Sequence, residues 1–302
     1  MYNATECKRK GNGLQCRQER ESDLDLADLR QLAELAAHRA GEIQRLHIGD
    51  RSCAVLENSP RDLKIEVDRL SEAAICDLIR AIYPDHSIVS EESGYTTGDS
   101  RYVWIIDPLD GTLNFYFGLP LFCVCVACYR LPHPLQPDDA GTGFRNLAQA
   151  EQLAGVVYAP LLLRMYSAAA GLGATLNGSP IASPKACRIE DAMVGISFGS
   201  HDTIIEKMER FNARLVRRVK KVRILGSTGL DLAHVATGHL SALIQLHVQI
   251  WDIAAALVIL KESGVKYEVR PTPLGGWQFI AAAPSIFKPL KAIFDTVHRS
   301  AP

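Results

Sequence analysis

Tyr102-Val103-Trp104-Ile105-Ile106-Asp107-Pro108-Leu109-Asp110-Gly111-Thr112 is the stretch on which the reading of this chain turns. Its first five residues are apolar without alternation, the pattern of a strand buried on both faces, and they deliver Asp107 at the strand's end. Pro108 fixes φ, so Asp107 and Asp110 are expected at the two ends of a stiff turn. Gly111 lets the backbone approach a ligand, and Thr112 is a good helix N-cap with a free hydroxyl. Backbone N–H groups at such a turn make an anion site. Carboxylates beside a phosphate-sized nest suit Mg²⁺, which takes oxygen ligands and keeps waters. Alone, the run reads equally well as a capped turn with two solvated aspartates.

Two other acidic sites change that balance. Glu91-Glu92 follows the short strand 87–90, and Trp251-Asp252 opens a helix. Each is ordinary by itself, since acids cap helices and cover surfaces. Together they place four carboxylates at element junctions, an arrangement that is costly without two or three cations.

The surrounding pattern is mixed α and β. Helices are expected at 24–46, 70–82, 202–216, 226–237, 252–262 and 284–297, from apolar positions at helical spacing and from their caps. Strands are expected at 87–90, 102–106, 121–129, 154–158, 164–168, 192–198, 219–225, 241–246, 265–269 and 279–282. Residues 131–150 read as a surface loop, and Asn177-Gly178-Ser179-Pro180 as a turn. Residues 1–22 form a polar tail expected to be disordered. Residues 23–187 are expected to form an N-terminal α+β subdomain carrying the acidic motif, and 188–302 a C-terminal α/β subdomain completing the site.

Bulk properties exclude several classes. The 302 residues include 47% apolar and 22% charged, ordinary for a soluble protein, and the net charge is -1. Well-mixed charge argues against a dedicated nucleic-acid binder. No membrane span and no secretory signal are visible, so no membrane partner and a cytoplasmic address are expected. The eight cysteines do not suggest a disulfide framework. Cys123 and Cys125 share one face of a strand and are read, with Cys128, as small hydrophobes. The sequons Asn3-Ala4-Thr5 and Asn177-Gly178-Ser179 are read as chance matches. His234, His239 and His247 show no shared face for a soft-metal site.

The segments Glu91-Glu92-Ser93-Gly94, Trp104 to Phe115 and Trp251-Asp252-Ile253-Ala254-Ala255 resemble, in order, the inositol monophosphatase family. This resemblance implies a layered α-β-α-β-α sandwich of the inositol monophosphatase and fructose-1,6-bisphosphatase type, a Mg²⁺-dependent, lithium-sensitive phosphatase, and a homodimer. It implies that Glu91, Asp107 and the Leu109 carbonyl hold a first Mg²⁺, and that Asp107, Asp110 and Asp252 hold a second. The Gly111 and Thr112 amides would receive phosphate. Gly226, Ser227 and Thr228 would contact the alcohol portion of the substrate, and Asp68 would orient the attacking water with Thr112. The implied substrate is inositol monophosphate or a related polyol or sugar phosphate. Bisphosphate nucleotidase, fructose-1,6-bisphosphatase and histidinol-phosphatase activities are alternatives on the same core, and a catalytically silent phosphate-binding relative is an alternative of another class.

Three departures bear on substrate. Gln245 stands where animal members carry a glutamate facing inositol, although it equally reads as a residue that ends a strand. Ile65 and Val67 replace small hydroxyl residues before Asp68, and Glu57 stands where a lysine is common.

Overall fold

The computed structural model describes residues 24–50, 54–59, 62–141, 144–183, 188–199 and 201–297. The tail expected at 1–22, with Cys7, Cys16 and the Asn3 sequon, lies outside them. Helix α1 (Leu26–His47) starts where the Asp25 side chain accepts from the Ala27 amide at 2.8 Å. Its stripe of Leu29, Leu32, Ala33, Ala36, Ala37 and Ala40 is buried. A hairpin of β1 (Val55–Ser59) and β2 (Asp62–Ile65) leads into α2 (Glu66–Ile82). This helix begins four residues before the expected 70, so Asp68 lies in its first turn. Its buried face is Val67, Asp68, Ser71, Glu72, Ile75, Cys76 and Ile79, whereas Ile82, expected on that face, is 54% exposed.

The remaining elements are β3 (Ser87–Ser90), β4 (Gly94–Thr96), β5 (Tyr102–Asp110), α3 (Thr112–Tyr116), β6 (Cys123–Arg130), α4 (Pro137–Gly141), β7 (Glu151–Ala159), β8 (Arg164–Ala169), β9 (Gly173–Leu176), β10 (Ser179–Ile181), β11 (Met193–Ile196), α5 (Asp202–Leu215), β12 (Lys221–Arg223), α6 (Thr228–Thr237), β13 (Ala242–Val248), α7 (Ile250–Ser263), β14 (Lys266–Pro271), β15 (Trp277–Ala282) and α8 (Pro284–Phe294). The expected loop at 131–150 thus contains one short α-helix, α4, and a 3₁₀ turn at Arg145–Gln149. Asn177 and Gly178, both with positive φ (49° and 78°), join β9 to β10 as the expected turn.

An eight-stranded sheet runs β10-β9-β8-β7-β6-β5-β3-β4, with β3 parallel to β5 and the other pairs antiparallel. A five-stranded sheet runs β12-β11-β13-β15-β14, with β11 parallel to both neighbours. One face of the large sheet packs on α1 and α2 through Trp104, Ile106, Val124, Val126 and Cys128. Its other face, with Ile105, Cys123, Cys125 and Val157, packs on α6 and α7, which also meet Leu243, Phe279 and Ala281 of the small sheet. The outer face of the small sheet is covered by Met208 and Phe211 of α5 and by Ile286 and Leu290 of α8. The layers are therefore α-β-α-β-α, as the family resemblance implied. Alternation along β6 puts Cys123 and Cys125 on one face and Cys128 on the other; all three are buried and free.

Candidate metal and phosphate site

The acidic run is not a turn after a strand. β5 continues through Asp107-Pro108-Leu109-Asp110, all buried. Asp107 pairs with Cys125 and Asp110 with Cys123, so three steps on β5 face two on β6, a bulge of one residue. A bulge tolerates Pro108, which has no N–H to give to the ladder. It also re-aims both carboxylates. The Pro108 carbonyl accepts from Gln44 Nε2 at 2.7 Å across from α1, the Leu109 amide donates to Asp107 Oδ1 at 3.0 Å, and Thr112 Oγ1 donates to the Leu109 carbonyl at 3.1 Å.

Gly111 follows with φ 96°, a left-handed conformation that favours glycine. A Cβ there would meet the Leu121 and Gly226 carbonyl oxygens at 3.0 and 3.1 Å. The loop before α6 therefore closes directly over the motif. Asn114 Nδ2 ties it down by donating to the Leu121 and Leu225 carbonyls at 2.6 and 2.8 Å. Asp110 then caps α6. Its Oδ1 accepts from Thr228 N at 3.0 Å, and its Oδ2 accepts from Ser227 Oγ at 2.7 Å, Gly229 N at 2.6 Å and the Cys123 thiol at 3.4 Å. Ser227 and Thr228, expected beside the substrate, are thus in contact with Asp110.

Asp68 and Asp252 occupy the same position in two helices. Each is the third helical residue and folds back on the chain before its helix, Asp68 Oδ2 accepting from Ile65 N at 2.7 Å and Asp252 Oδ2 from Gln249 N at 2.8 Å. Asp68 Oδ1 is buried and has no protein partner among the described residues. Glu91 follows β3, its amide donating to the Ile106 carbonyl at 3.3 Å. Its turn is held by Glu72 of α2, whose Oε2 accepts from Ser90 Oγ and from the Glu92 and Ser93 amides at 3.1 and 3.2 Å. Lys64 pairs with the neighbouring Glu92 at 3.3 Å. Gln245 lies within β13, not at its end, beside a second bulge; it is buried and exchanges hydrogen bonds with Thr228 Oγ1 at 3.1 and 3.3 Å.

Electrostatics define what this cluster accepts. Burial, then the charges of Glu91, Asp110 and Asp252, hold the Asp107 carboxyl far above its usual range. Burial, Glu91 and Asp110 do the same to Asp252. Burial and Glu92 push Glu91 up to about 7, against a side-chain hydrogen bond with Asp107. Burial also raises Asp68 to about 8, with Glu92 and Glu91 adding to the effect, and raises Asp110 against the donors of α6. Carboxylates that raise one another in this way fit a divalent cation, which offsets their repulsion, and the orphan Asp68 Oδ1 fits a water or ion. Asp110 also has Cys123 and Cys125 close by. Burial raises Cys123, and the Cys123 contact followed by burial raises Cys125, so both are neutral thiols rather than thiolates. They behave as the small buried residues expected, with Cys123 also a donor to Asp110.

Gln44, Glu72, Asn114 and Gly229 were missed in the sequence. Glu72 carried a signal, since it lies four residues after Asp68 and three before Ile75 on the apolar face of α2. Gly229 sits over the thiols, where a Cβ would be 2.4 Å from Cys125 Sγ.

A five-layer sandwich with buried acids gathered at a strand bulge and at helix starts defines an α/β protein of the cation-and-phosphate-handling class. The inositol monophosphatase family profile matches residues 25–134 and 147–291, and the chain belongs to that family. It is accordingly a phosphatase, a phosphoric monoester hydrolase. The chain is 32% identical over 226 residues to the fructose-1,6-bisphosphatase/inositol-1-monophosphatase of Thermotoga maritima, covering 75% of this chain and 78% of that one. It is 33% identical over 247 residues to the Nus factor SuhB of Pseudomonas aeruginosa, covering 77% and 82%. Its fold matches the solved structure of a Thermotoga maritima IMPase with a TM-score of 0.74 at 28% identity, over 90% of this chain and 98% of that one. Among the described residues no helix is long and apolar enough to cross a membrane.

Proposed function

We propose that this chain hydrolyses a small phosphate monoester, inositol monophosphate or a related polyol or sugar phosphate, with Mg²⁺. The observation that carries the reading is the group of carboxylates beside Gly111 and Thr112, buried Asp107 and Asp110 with half-buried Glu91 and Asp252, in which burial and the charges of Glu91 and Asp110 raise both Asp107 and Asp252. Glu91, Asp107 and the Leu109 carbonyl would hold one ion, and Asp107, Asp110 and Asp252 another; among the described residues Asp110 Oδ1 has a single protein donor and keeps acceptor capacity. Bound Mg²⁺ supplies a lowered pKa for the attacking water and charge compensation for the leaving alkoxide. Asp68 and the Thr112 hydroxyl orient that water, and the Gly111 and Thr112 amides receive the phosphoryl oxygens. Gly226, Ser227 and Thr228 border the alcohol portion, with Gln245 reaching it through or beside Thr228. Glutamine brings no charge and adds a donor, which suits a polyol less tightly specified than one facing a carboxylate.

Asp252→Asn tests the reading. Its Oδ2 bond to Gln249 can be kept by the amide oxygen, so the fold is retained. Mg²⁺-dependent phosphate release should fall roughly 100-fold or more; near-normal turnover excludes Asp252 as a ligand. A phosphate-release screen over inositol-1-phosphate, fructose-1,6-bisphosphate, adenosine bisphosphate and histidinol phosphate, with and without Mg²⁺, assigns the substrate. The Thermotoga relative's name makes fructose-1,6-bisphosphate the second reading. No release from any of them by folded protein would favour a silent phosphate-binding relative. We further propose a cytoplasmic, lithium-sensitive homodimer; sedimentation at the mass of one chain would contradict the dimer.

A further inference from the structure

Away from the acidic site, on the outer side of the small sheet, α5 and α8 frame a cleft of about 530 Å³. Arg214, Arg217 and Arg218 line one side, and Pro289, Ala292 and Ile293 of α8 line the other. Arg214 Nη1 donates to Thr296 Oγ1 at 2.8 Å. No carboxylate lines the cleft, and none pairs with Arg217 or Arg218 among the described residues. These arginines open the run Arg214-Leu215-Val216-Arg217-Arg218-Val219-Lys220-Lys221-Val222-Arg223, in which six of ten residues are basic and none is acidic.

Two ordinary roles account for part of this run. A cation at a helix C-terminus complements the dipole, which covers Arg214 in the last turn of α5. Lysine and arginine on an edge strand deter unwanted pairing, which covers Lys221 and Arg223 on β12, the edge of its sheet. Arg217 and Arg218 fall between the two. They lie beyond the helix end and before the strand, and they share one concavity with a third guanidinium. Like charges gathered without a counter-charge repel, and an anion placed among them removes the repulsion while accepting their forked donors. The apolar wall offers contact to carbon rather than to a second charge. The volume is that of a small-ligand site.

We propose that this cleft binds a small organic anion with a phosphoryl or phosphonate head among the three arginines and an apolar body against Pro289, Ala292 and Ile293. The site is separate from the acidic cluster, because α5 and α8 cover the face of the small sheet that carries Ile196, Ile244 and Ile280, whereas Leu243 and Phe279 face the layer of α6 and α7. It does not depend on which phosphate ester the enzyme cleaves.

Phenylphosphonate, which has this head and body and cannot be hydrolysed as an ester, is the probe. Calorimetric titration into the full chain without added Mg²⁺ leaves the crowded carboxylates of the other site repelling anions. Binding to the wild-type chain is expected, with a loss of roughly 100-fold in R217E/R218E, since each charge-assisted bond is worth about a decade of affinity. Both positions are exposed, so R217E/R218E should keep its melting temperature and its Mg²⁺-dependent phosphate release. Unchanged phenylphosphonate affinity in R217E/R218E overturns the proposal. So does binding that disappears in Asp252→Asn, which would place the anion at the acidic site. A short RNA oligonucleotide that binds wild type but not R217E/R218E, with phenylphosphonate bound by neither, would make the occupant a macromolecule and overturn it as well.

Discussion

Gln44 is fully buried, and only half of its amide is satisfied: Nε2 donates to the Pro108 carbonyl while Oε1 has no protein partner among the described residues. An orphan buried acceptor costs about 1–3 kcal/mol, so stability alone does not favour the side chain. Its bond lands on Pro108, one of the two residues between Asp107 and Asp110. Gln44→Met should therefore leave the melting temperature within about 3 °C, lost bond and lost orphan offsetting each other. The Mg²⁺ concentration for half-maximal phosphate release should rise several-fold, because the bulge is no longer held from α1. An unchanged Mg²⁺ requirement would make Gln44 a packing residue. Asp231 of α6 is a second buried acid with an unpartnered oxygen, raised to about 8 by burial and then by Asp110. A carboxyl whose folded pKa lies above its unfolded value near 3.8 binds more protons when folded, so its penalty is absent at low pH and grows as pH rises toward 8. Asp231→Asn should narrow the fall in melting temperature between pH 5 and pH 8, measured on metal-free protein. An equal fall in both proteins would show that Asp231 is not held neutral.

At the scale of elements, the acids are brought together by close approach of backbones. Gly155 of β7 lies under α7, where a Cβ would be 2.3 Å from the Ala255 carbonyl oxygen and 2.8 Å from Val258 Cβ. Gly155→Ala should force α7, which carries Asp252, off the sheet. A loss of about 1–3 kcal/mol is expected in urea unfolding, with Mg²⁺-dependent activity falling as well. Full stability in the variant would mean that α7 can shift at no cost. Most elements were legible in the sequence, because α1 repeats its apolar stripe and β5 and β6 are continuous apolar runs. The acids of the candidate site were legible for a related reason: Glu91, Asp107 and Asp110 stand at or near the ends of apolar strands, and Asp252 opens a helix. Much of what escaped notice depended on partners far away in the chain. The bulge in β5 is set by pairing with β6, and Gln44 meets a carbonyl 64 residues later. The early start of α2 rests on Asp68 closing back on Ile65, a bond that period and propensity do not reveal.

Over the whole molecule, α6 and α7 belong to one core with both sheets, and Asp110 and Asp252 lie where those layers meet. The charge state of the acidic cluster is thereby linked to global stability. Asp68 at about 8, Glu91 at about 7, and Asp107 and Asp252 far above their usual range all hold protons in the folded state that an unfolded chain releases near pH 4. Metal-free protein should therefore lose stability as pH rises from about 5 to about 8, the slope set by the excess protons bound when folded. A cation that binds only the ionised folded cluster adds RT ln(1 + [L]/Kd), about 2.7 kcal/mol at 100 Kd. At pH 5 Mg²⁺ must displace all the retained protons, whereas at pH 8 Glu91, at about 7, has already released most of its own and fewer need displacing, so the rise in melting temperature on adding Mg²⁺ should be small at the lower pH and several degrees at the higher. Thermal melts in EDTA and in excess Mg²⁺ at both pH values measure this. An increment equal at pH 5 and pH 8 would show that the cation binds away from these carboxylates. An increment that grows with pH in wild type and is lost in Asp252→Asn would tie the linkage to this cluster, and with it the stability of both sheets to the occupancy of the site between them.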